Sequence, residues 1–290
     1  MFSQSKPFFL HAVSAVHAGS GSELGIVDLP IQREKHTGFP KIESSSLKGA
    51  IRASVPPSRE VDLIYGVEKL DGGDGVASAV AFSDARTLLF PVKSMRNIFA
   101  YVTCPSALSR FNYECELYGH AVSLPLPEAE TCSSEKVQVG DKKHVVLEEY
   151  AYEIKVDETA TKLAEQLETI LFKNERPGYL KDRLVVLSDD DFTDFVKLST
   201  EVNARIRVDA ETGTVANGAL FYEENVPPET VFYSFVFASK TRVTNEDDKI
   251  DASDVLGKLT SGVLFPEVFQ LGGSSTLGRG VLRRTFIEEV

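Results

Sequence analysis

The chain has 290 residues, of which 42% are hydrophobic and 26% are charged, a composition typical of a globular protein with one large domain or two small ones. No apolar run approaches the ~20 residues that cross a bilayer, and residues 1–10 lack the features of a secretory signal, so we expect a cytoplasmic protein. The net charge of −12 argues on average against a nucleic-acid partner, but the acidic residues are concentrated in a few segments, and a nucleic acid would bind along the basic ones.

The amino-terminal region begins with a predicted strand and continues into a long loop. Residues 8–16 are apolar and rich in β-forming residues, and His11 and His17 would share one face if the strand continued as far as His17. Residues 19–43 contain too many glycines and prolines for a helix and are too numerous for a simple turn. Long ordered loops of this kind are often functional.

A short helix is predicted after this loop. Residues 44–46, three serines, form an amino-terminal capping signal for a helix over residues 47–55, and Pro56 and Pro57 end it. Lys48 and Arg52 share one face of this helix because they are spaced by one helical turn.

The middle of the chain alternates between predicted strands and helices. Residues 77–92 have the pattern of two short strands around a turn, and residues 160–172 have the leucine spacing of an amphipathic helix. Residues 184–187 have the pattern of a buried strand. The carboxylates of residues 189–191 favour the amino end of the helix that follows, so capping explains this acidic triplet better than metal binding.

The carboxyl-terminal region predicts a basic hairpin and two further strands. Over residues 205–221 Arg205 and Arg207 alternate with apolar residues, and residues 209–213 supply the turn. The two further strands cover residues 231–237 and 281–287. Because strands and helices are intermixed and no repeat is present, we predict an α+β fold.

Sharp enzyme signatures are missing from the sequence, which has no H-E-x-x-H, G-x-S-x-G or Walker A motif. Residues 272–280 are rich in glycine, but a strand follows where a dinucleotide fingerprint requires a helix, so we expect no nucleotide cofactor. Taken alone, this segment is equally a simple turn or a place where the backbone approaches a ligand closely. The three cysteines have neither zinc nor disulfide spacing, and we expect reduced, unligated thiols.

Two segments of the chain resemble the hallmark segments of the RAMP superfamily of CRISPR proteins, in the expected order. The first is Gly38-Phe39-Pro40 followed by residues 44–52, and the second is the glycine-rich segment 272–280. Further segments look like the backbone subunit of type III-B (Cmr) CRISPR complexes: residues 17–21 leading to 27–34, then 82–86, 103–105 and 218–221. The resemblance spans nearly the whole chain, and the segment around Asp28 is its most discriminating part.

This resemblance implies a single RAMP domain over residues 1–290, with a ferredoxin-like (RRM-like) palm, a β-hairpin thumb near residues 201–230 and helical insertions. It implies that copies stack as a filament along the guide (CRISPR) RNA, together with other Cmr subunits, and that complementary target RNA is cut next to each thumb. No membrane partner is implied. The guide RNA would read the sequence, while the protein would follow phosphates. The residues expected to do so are Lys48, Arg52, Arg205, Arg207, Gly278 and Arg279.

Cutting RNA by internal attack requires a deprotonated 2′-hydroxyl, a neutralised phosphorane and a protonated leaving oxygen. By resemblance Asp28 is the residue on which cleavage depends, as a base or as a metal anchor, and His17 is a candidate acid. Tyr222, Glu223 and Glu224 follow the hairpin and are further candidates for the same phosphate. Because fixed carboxylates are few, a divalent cation such as Mg²⁺ would be held partly by RNA phosphates. The alternatives are that Asp28 caps a turn, that His17 is a core histidine and that Tyr222 and Glu224 lie at an exposed strand end.

Two functional classes compete for this sequence. The first is an endoribonuclease subunit that binds guide RNA and cuts target RNA, and the second is a RAMP scaffold that binds RNA without cutting it. The segment around Asp28 favours the first. A lone endonuclease that processes repeat RNA is a weaker alternative, because such enzymes do not have the long loop that contains Asp28.

Overall fold

The computed structural model describes residues 2–22, 25–70, 74–140, 142–173, 175–207, 211, 213–215 and 220–288. The helices in these ranges are α1 (Ser44–Ala53), α2 (Arg59–Tyr65), α3 (Pro105–Leu117), α4 (Glu158–Phe172), α5 (Asp189–Leu198) and α6 (Ala252–Thr260). The strands are β1 (Gln4–Ala12), β2 (Lys41–Ile42), β3 (Val80–Phe82), β4 (Ala85–Lys93), β5 (Phe99–Thr103), β6 (Thr131–Cys132), β7 (His144–Leu147), β8 (Tyr150–Glu153), β9 (Lys155–Val156), β10 (Leu184–Val186), β11 (Glu201–Arg205), β12 (Phe221–Asn225), β13 (Val231–Ala238), β14 (Val268–Gln270) and β15 (Val281–Phe286). The predicted α+β class is confirmed.

One large sheet organises the described part of the chain. Its strand order is β14-β15-β1-β13-β4-β5-β10-β6-β9, with β2 paired to β4 and β3 paired to β13. Strand β1 lies between β13 and β15 and is antiparallel to both. The first strand of the chain is therefore held by two strands from its last quarter. This part of the sheet forms only through contacts between residues that are distant in sequence.

Helices cover both faces of this sheet, so its inner strands are apolar on both sides. In β5, Ala100 and Val102 belong to the core cluster that includes residues of α1, α2, α5 and α6. Tyr101 belongs to the other cluster, together with residues of α3 and α4. Strand β13 alternates in the same way, which explains why its sequence is an almost unbroken apolar run.

The turn between β12 and β13 is fixed to the sheet by a buried polar cluster. Glu229 has a φ of +73°, which is rare for a residue other than glycine, and its amide donates to the carbonyl of Ala12 at 2.7 Å. Its carboxylate accepts hydrogen bonds from His11 Nε2 at 2.8 Å, from Tyr101 Oη and from Tyr179 Oη at 3.2 Å. Burial alone would raise the pKa of Glu229, but the bonds from His11 and Tyr101 outweigh it and lower the pKa.

Several predicted elements are confirmed and two predictions are wrong in detail. The strand predicted over residues 8–16 ends at Ala12, so His11 and His17 do not share a strand face. The predicted serine cap of α1 is also wrong, because the helix begins at Ser44, and its N-cap residue, Glu43, makes no side-chain cap bond. Instead Asp84 Oδ1 accepts from the amide of Ser44 at 2.9 Å.

The predicted hairpin is present, but its strands are displaced from the predicted positions. Strands β11 and β12 pair from Glu201 opposite Asn225 to Arg205 opposite Phe221, so the first strand ends where it was predicted to begin. The reason is that the alternation continues upstream: Val202 and Ala204 are exposed, whereas Glu201 and Asn203 are half-buried. Most of the predicted turn over residues 209–213, and residues 218–219 of the family resemblance, lie outside the described residues.

Two general features of the described chain complete the fold. Cys104, Cys115 and Cys132 are all free and buried, and burial raises the pKa of the Cys132 thiol to about 11. None of the helices in the described ranges combines the length and apolarity needed to cross a membrane.

Candidate active site and nucleic-acid interface

The Asp28 loop (residues 25–40) lies against the edge of β12 that β11 does not occupy. The amide of Leu29 donates to the carbonyl of Tyr222 at 3.0 Å, and the amide of Glu224 donates to the carbonyl of Leu29 at 3.0 Å. Asp28 Oδ2 accepts from the amide of Tyr222 at 2.7 Å. Backbone pairing therefore fixes the register of the loop, and the carboxylate of Asp28 continues that pairing by one bond.

This arrangement orients the Asp28 carboxylate. Asp28 is half-buried, and among the hydrogen bonds of the described residues only Oδ2 has a protein donor. The other oxygen, Oδ1, keeps its acceptor capacity for a group outside the chain. Tyr222, whose backbone amide is the donor, is 40% exposed.

His17 bonds to the same edge of β12. Its Nδ1 atom lies 2.6 Å from the carbonyl oxygen of Glu224, and because a carbonyl only accepts, Nδ1 carries the hydrogen. Nε2 is then the nitrogen that can exchange a proton with a ligand. The two residues whose backbone groups hold Asp28 and His17, Tyr222 and Glu224, are two positions apart, which is about 7 Å along the strand.

Glycines on both sides make room for the imidazole of His17. A Cβ atom at Gly19 would lie 2.8 Å from Nε2, and one at Gly273 would lie 2.9 Å from Cδ2. Gly272 has a φ of +94°, and a Cβ atom there would lie 2.2 Å from the carbonyl oxygen of His17. The amide of Gly273 donates to that oxygen at 3.0 Å. The glycine-rich segment is therefore required for close packing against His17.

Glu224 does not present its carboxylate to solvent. The residue is 7% exposed, Oε1 accepts from Arg33 Nη2 at 2.5 Å and from Thr200 Oγ1 at 2.7 Å, and Oε2 accepts from the amide of Ile31 at 3.1 Å. Both oxygens are occupied by protein donors, so this geometry is typical of a carboxylate that positions other groups.

Glu223 connects the hairpin to the glycine-rich segment. It is 5% exposed, and its carboxylate accepts from Arg205 Nη2 at 3.1 Å and from Ser274 Oγ at 3.0 Å. Burial alone would raise the pKa of Glu223, but the hydrogen bonds from Arg205, Ser274 and Asn225 outweigh it and lower the pKa. Glu223 is thus an ionised structural link between the two segments.

An open groove lies between α1 and the glycine-rich segment. Its lining is mostly made of small or hydroxyl-bearing residues together with His17: Gly19, Gln32, Ser45, Ser46, Gly49, Ala50, Gly272, Gly273 and Ser275. Because small side chains predominate in this lining, a ligand backbone can approach closely, and hydroxyl and amide groups are common phosphate ligands. The groove therefore leads from α1 to His17.

The two predicted cations of α1 have different surroundings. Lys48 is half-buried, and burial together with the charge of Arg52 lowers the pKa of its amine. Arg52 donates to the carbonyl of Gly66 at 2.5 Å and to Asp62 Oδ1 at 2.9 Å. An RNA phosphate would have to compete with Asp62 for Arg52, whereas Lys48 is in no ion pair among those of the described residues.

The predicted cations of the hairpin and the glycine-rich segment also face carboxylates. Arg205 pairs with Glu223, and Arg279 Nη1 lies 3.9 Å from Glu201 Oε2, beyond hydrogen-bond distance. Within the described part of the chain, Arg279 Nη1 is buried and has no hydrogen-bond partner. Arg207 is exposed beyond the end of β11. Gly278 has a φ of +77° and open space around it.

The residues of the site do not fit a resident metal ion by themselves. In the described part of the chain no group of three or more His, Cys, Asp or Glu residues is close enough to hold one. The carboxylates of Glu223 and Glu224 are occupied by protein donors. Asp28 Oδ1 is the remaining carboxylate oxygen at the site, and one oxygen is far short of the octahedral set that Mg²⁺ requires.

Sequence reasoning missed the residues that hold the site together. Arg33, Thr200 and Ser274 each bond to Glu223 or Glu224 across the fold. Gln32 links the Asp28 loop to α1, because its side chain donates to Ser46 Oγ at 3.1 Å and accepts from the amide of Glu43 at 2.7 Å. No local pattern marks these residues, since their partners are distant in sequence.

The RAMP superfamily model matches residues 9–283 of the chain. A curated relative from Pyrococcus furiosus, named CRISPR system Cmr endoribonuclease Cmr4, is 39% identical over 292 residues that cover 96% of this chain and 94% of the relative. The crystal structure of oligomeric Cmr4 from Pyrococcus furiosus is similar at 30% identity with a TM-score of 0.72, covering 99% of this chain and 98% of that one. A chain in the cryo-EM structure of the type III-B Cmr-beta complex bound to cognate target RNA has a TM-score of 0.74 at 24% identity, covers 98% of each chain and shares the fold.

Proposed function

Because this chain belongs to the RAMP superfamily, we propose that it is the repeating backbone subunit of a type III-B (Cmr) CRISPR complex and that it cuts target RNA beside Asp28. Its relative at 39% identity is named as the Cmr endoribonuclease. The observation that carries the proposal is the attachment of Asp28 and His17 to one edge of β12, at the base of a hairpin. The geometry of this site supports RNA cleavage, whereas the fold alone is compatible with many functions.

In this proposal the large sheet and its helices form a ferredoxin-like palm, and the β11–β12 hairpin is the thumb of a single RAMP domain. The thumb interrupts the guide and target duplex. Asp28 lies beside the first residues of β12, so the phosphate next to the interruption is the one presented to Asp28.

The chemistry of cleavage is internal attack by a 2′-hydroxyl on the adjacent phosphate. The amide of Tyr222 holds Asp28 Oδ2, so Oδ1 is directed to accept the proton of the 2′-hydroxyl. His17 Nε2, in its imidazolium form, donates a proton to the leaving 5′-oxygen, while Glu224 fixes the ring through Nδ1. The O–P bond to the 2′-oxygen forms and the bond to the 5′-oxygen breaks.

The guide RNA follows the groove between α1 and the glycine-rich segment. Its backbone contacts small residues, hydroxyls and Lys48, and base pairing between guide and target reads the sequence. Arg205, Arg207 and Arg279 lie along the hairpin and the glycine-rich segment, where they follow the target strand.

We further propose that a divalent cation, Mg²⁺, binds at the site together with the RNA. Among the described residues, the site offers one carboxylate oxygen without a protein donor, so RNA phosphates and water would supply most of the ligands. Bound there, the ion would offset the negative charge that develops on the phosphate during attack. The measurable expectation is that EDTA abolishes cleavage and leaves guide binding intact.

Other copies of the chain and other Cmr subunits are the protein partners. The relative from Pyrococcus furiosus was solved as an oligomer, and stacked copies of this chain would place identical sites at regular intervals along one guide. Target products should therefore differ by a constant length.

The test is a reconstituted complex that carries Asp28→Asn in every copy. The substitution removes the charge and keeps the shape, so guide assembly and target binding should stay nearly intact while cleavage of labelled complementary RNA is lost. Asp247→Asn, an exposed carboxylate in a distant turn, is the matched control and should cut at regular spacing. Normal cutting by Asp28→Asn with Mg²⁺ present would favour the scaffold function, in which a partner subunit performs the chemistry.

A further inference from the structure

Arg33 connects three separate segments around the candidate active site. Its Nη2 donates to Glu224 Oε1 at 2.5 Å. Its Nη1 donates to the carbonyl of Val196 in the last turn of α5 at 2.9 Å and to the carbonyl of Gly38 at the far end of the Asp28 loop at 2.8 Å. A guanidinium can hold several acceptors at once because its donors are fixed in one plane.

The partner of Arg33 is itself saturated. Glu224 also accepts from Thr200, the residue that precedes β11, and from the amide of Ile31 in the Asp28 loop. The side chains of Arg33 and Glu224 are 23% and 9% exposed, so water screens their attraction little. Removing one partner of such a pair leaves a buried charge uncompensated.

We propose that Arg33 is a positioning residue for the Asp28 carboxylate and that it acts through Glu224. The loop between Asp28 and Arg33 is fixed at both ends: Leu29 pairs with β12, and Ile31 and Arg33 bond to the Glu224 carboxylate. A loop released at Arg33 shifts along β12, and Asp28 Oδ2 then leaves the amide of Tyr222. This inference rests on the proposed role of Asp28.

The same contacts connect Asp28 to the base of the hairpin. Val196 lies in α5, and Thr200 lies in the short connection from α5 to β11, so Arg33 and Glu224 join this connection to the Asp28 loop. A displacement of the hairpin would be transmitted to the carboxylate. Misplacing a reacting group by about 1 Å can cost on the order of 100-fold in rate.

The first experiment measures single-turnover cleavage and target affinity in reconstituted complexes with Arg33→Met, Glu224→Gln and the double variant. Arg33→Met should slow cleavage by roughly 10- to 100-fold with unchanged target affinity. The double variant should be no slower than the slower single variant, because both act through one pair. Arg33→Lys should restore part of the rate, since a lysine supplies the charge but not the forked geometry.

Arg59→Met is the matched control. Arg59 also bonds to a carboxylate, that of Asp248, with Nε at 2.9 Å and Nη2 at 2.7 Å, but this pair lies between α2 and a distant turn. Cleavage by the control should be unchanged. A normal rate for Arg33→Met, or an equal loss of rate and target affinity, would overturn the positioning role.

The second experiment is independent of cleavage. Amide hydrogen exchange of the isolated chain should show loss of protection at Ile31, Glu224 and Tyr222 in Arg33→Met, and no loss there in Arg59→Met. Unchanged protection would overturn the inference even if the rate fell. If protection is lost while Asp28→Asn still cuts normally, then Arg33 and Glu224 do hold the loop, but the proposed role of Asp28 fails. The positioning of a catalytic group then fails with it.

Discussion

His17 is a residue whose position depends on its neighbours having no side chain. Its ring lies between Gly19 and Gly273, and each would approach the ring within 3 Å if it had a Cβ atom. Its Nδ1 is fixed by the carbonyl of Glu224, so Nε2 has one defined direction. The glycines therefore determine where Nε2 lies.

We predict that His17→Ala slows cleavage by roughly 10² to 10⁴, which is the usual contribution of a general acid, and less than Asp28→Asn does, because water can replace an acid. Gly273→Ala should act in the same direction by displacing the ring. Single-turnover rates in the reconstituted complex test both variants. Gly257→Ala in α6, where the space is open, should cut normally, and an unchanged rate for His17→Ala would make His17 a core residue.

At the scale of single residues, the sequence indicated the candidate site residues better than their supports. Asp28 and His17 could be named as candidates because the family resemblance passes through them. Arg33 lies in the same segment, but its contacts and those of Thr200 could not be predicted, because they form only once Glu224, 191 residues after Arg33, is folded beside them. Glu224 was predicted as a catalytic residue, whereas its bonds favour a positioning role.

At the scale of elements, α1 is a surface helix with one face on the sheet and another on the groove. Its buried residues, Leu47 and Ile51, fix the helix on the sheet, and Ser46 and Gly49 line the groove. Arg52 is partly committed to Asp62. The helix therefore offers fewer free cations than its sequence predicts.

We predict that replacing Lys48 and Arg52 together weakens binding of guide RNAs of unrelated sequence alike, because phosphate contacts carry no sequence information. Each lost contact should lower the single-strand salt slope by about 0.7, and Arg52 should contribute less than Lys48. Filter binding over a salt series measures the slopes. Lys162→Ala on α4, which removes one cation from an exposed helix, is the control for each single replacement. An unchanged slope for the double variant would place the RNA track elsewhere.

The β12–β13 turn gives the fold a pH-dependent element. Because the pKa of Glu229 is lowered in the folded chain, its bonds to His11 and Tyr101 stabilise the fold above the unfolded pKa and are lost as pH falls through the folded pKa. Hydrogen bonds to a charged group are worth roughly 1.5 to 3 kcal/mol, so Glu229→Gln should lower stability by about that amount at pH 7.

Urea midpoints of the wild-type chain and Glu229→Gln between pH 7 and pH 3 test this prediction. The difference between them should shrink below the ordinary glutamate pKa of 4.5. A constant difference over the whole range would mean that shape, and not charge, accounts for the stabilisation.

Elements were predicted well where one local pattern decides them. The helix α4 and the strand β13 follow from apolar spacing, and the acidic triplet does begin α5, with Ser188 as its N-cap. The predictions failed where a group distant in sequence determines how an element begins or ends. Asp84 replaces the predicted serine cap of α1, and β1 ends at Ala12, where the carbonyl of that residue accepts from Glu229.

At the scale of the whole molecule, the acidic balance and an RNA partner are compatible. The acidic residues that give the charge of −12 are concentrated in a few segments, whereas the groove beside α1 is lined mostly by small neutral residues. Net charge limits non-specific binding and leaves local contacts unaffected.

We predict that complexes assembled from mixtures of wild-type and Asp28→Asn chains lose each cut in proportion to the fraction of variant copies, with the product spacing unchanged. The reason is that every group of the site described here comes from one chain. Product lengths on a sequencing gel give the measurement. A loss steeper than proportional would mean that a neighbouring copy completes the site.

The pairing of the Asp28 loop with β12 also has a consequence in time. Asp28 and Tyr222 are separated by 194 residues, and a ribosome that adds about 5 to 20 residues per second needs on the order of 10 to 40 s to make the chain between them. Strand β1 likewise cannot complete its pairing until β13 and β15 have been synthesised. A nascent chain therefore cannot assemble the candidate site until most of it has been synthesised.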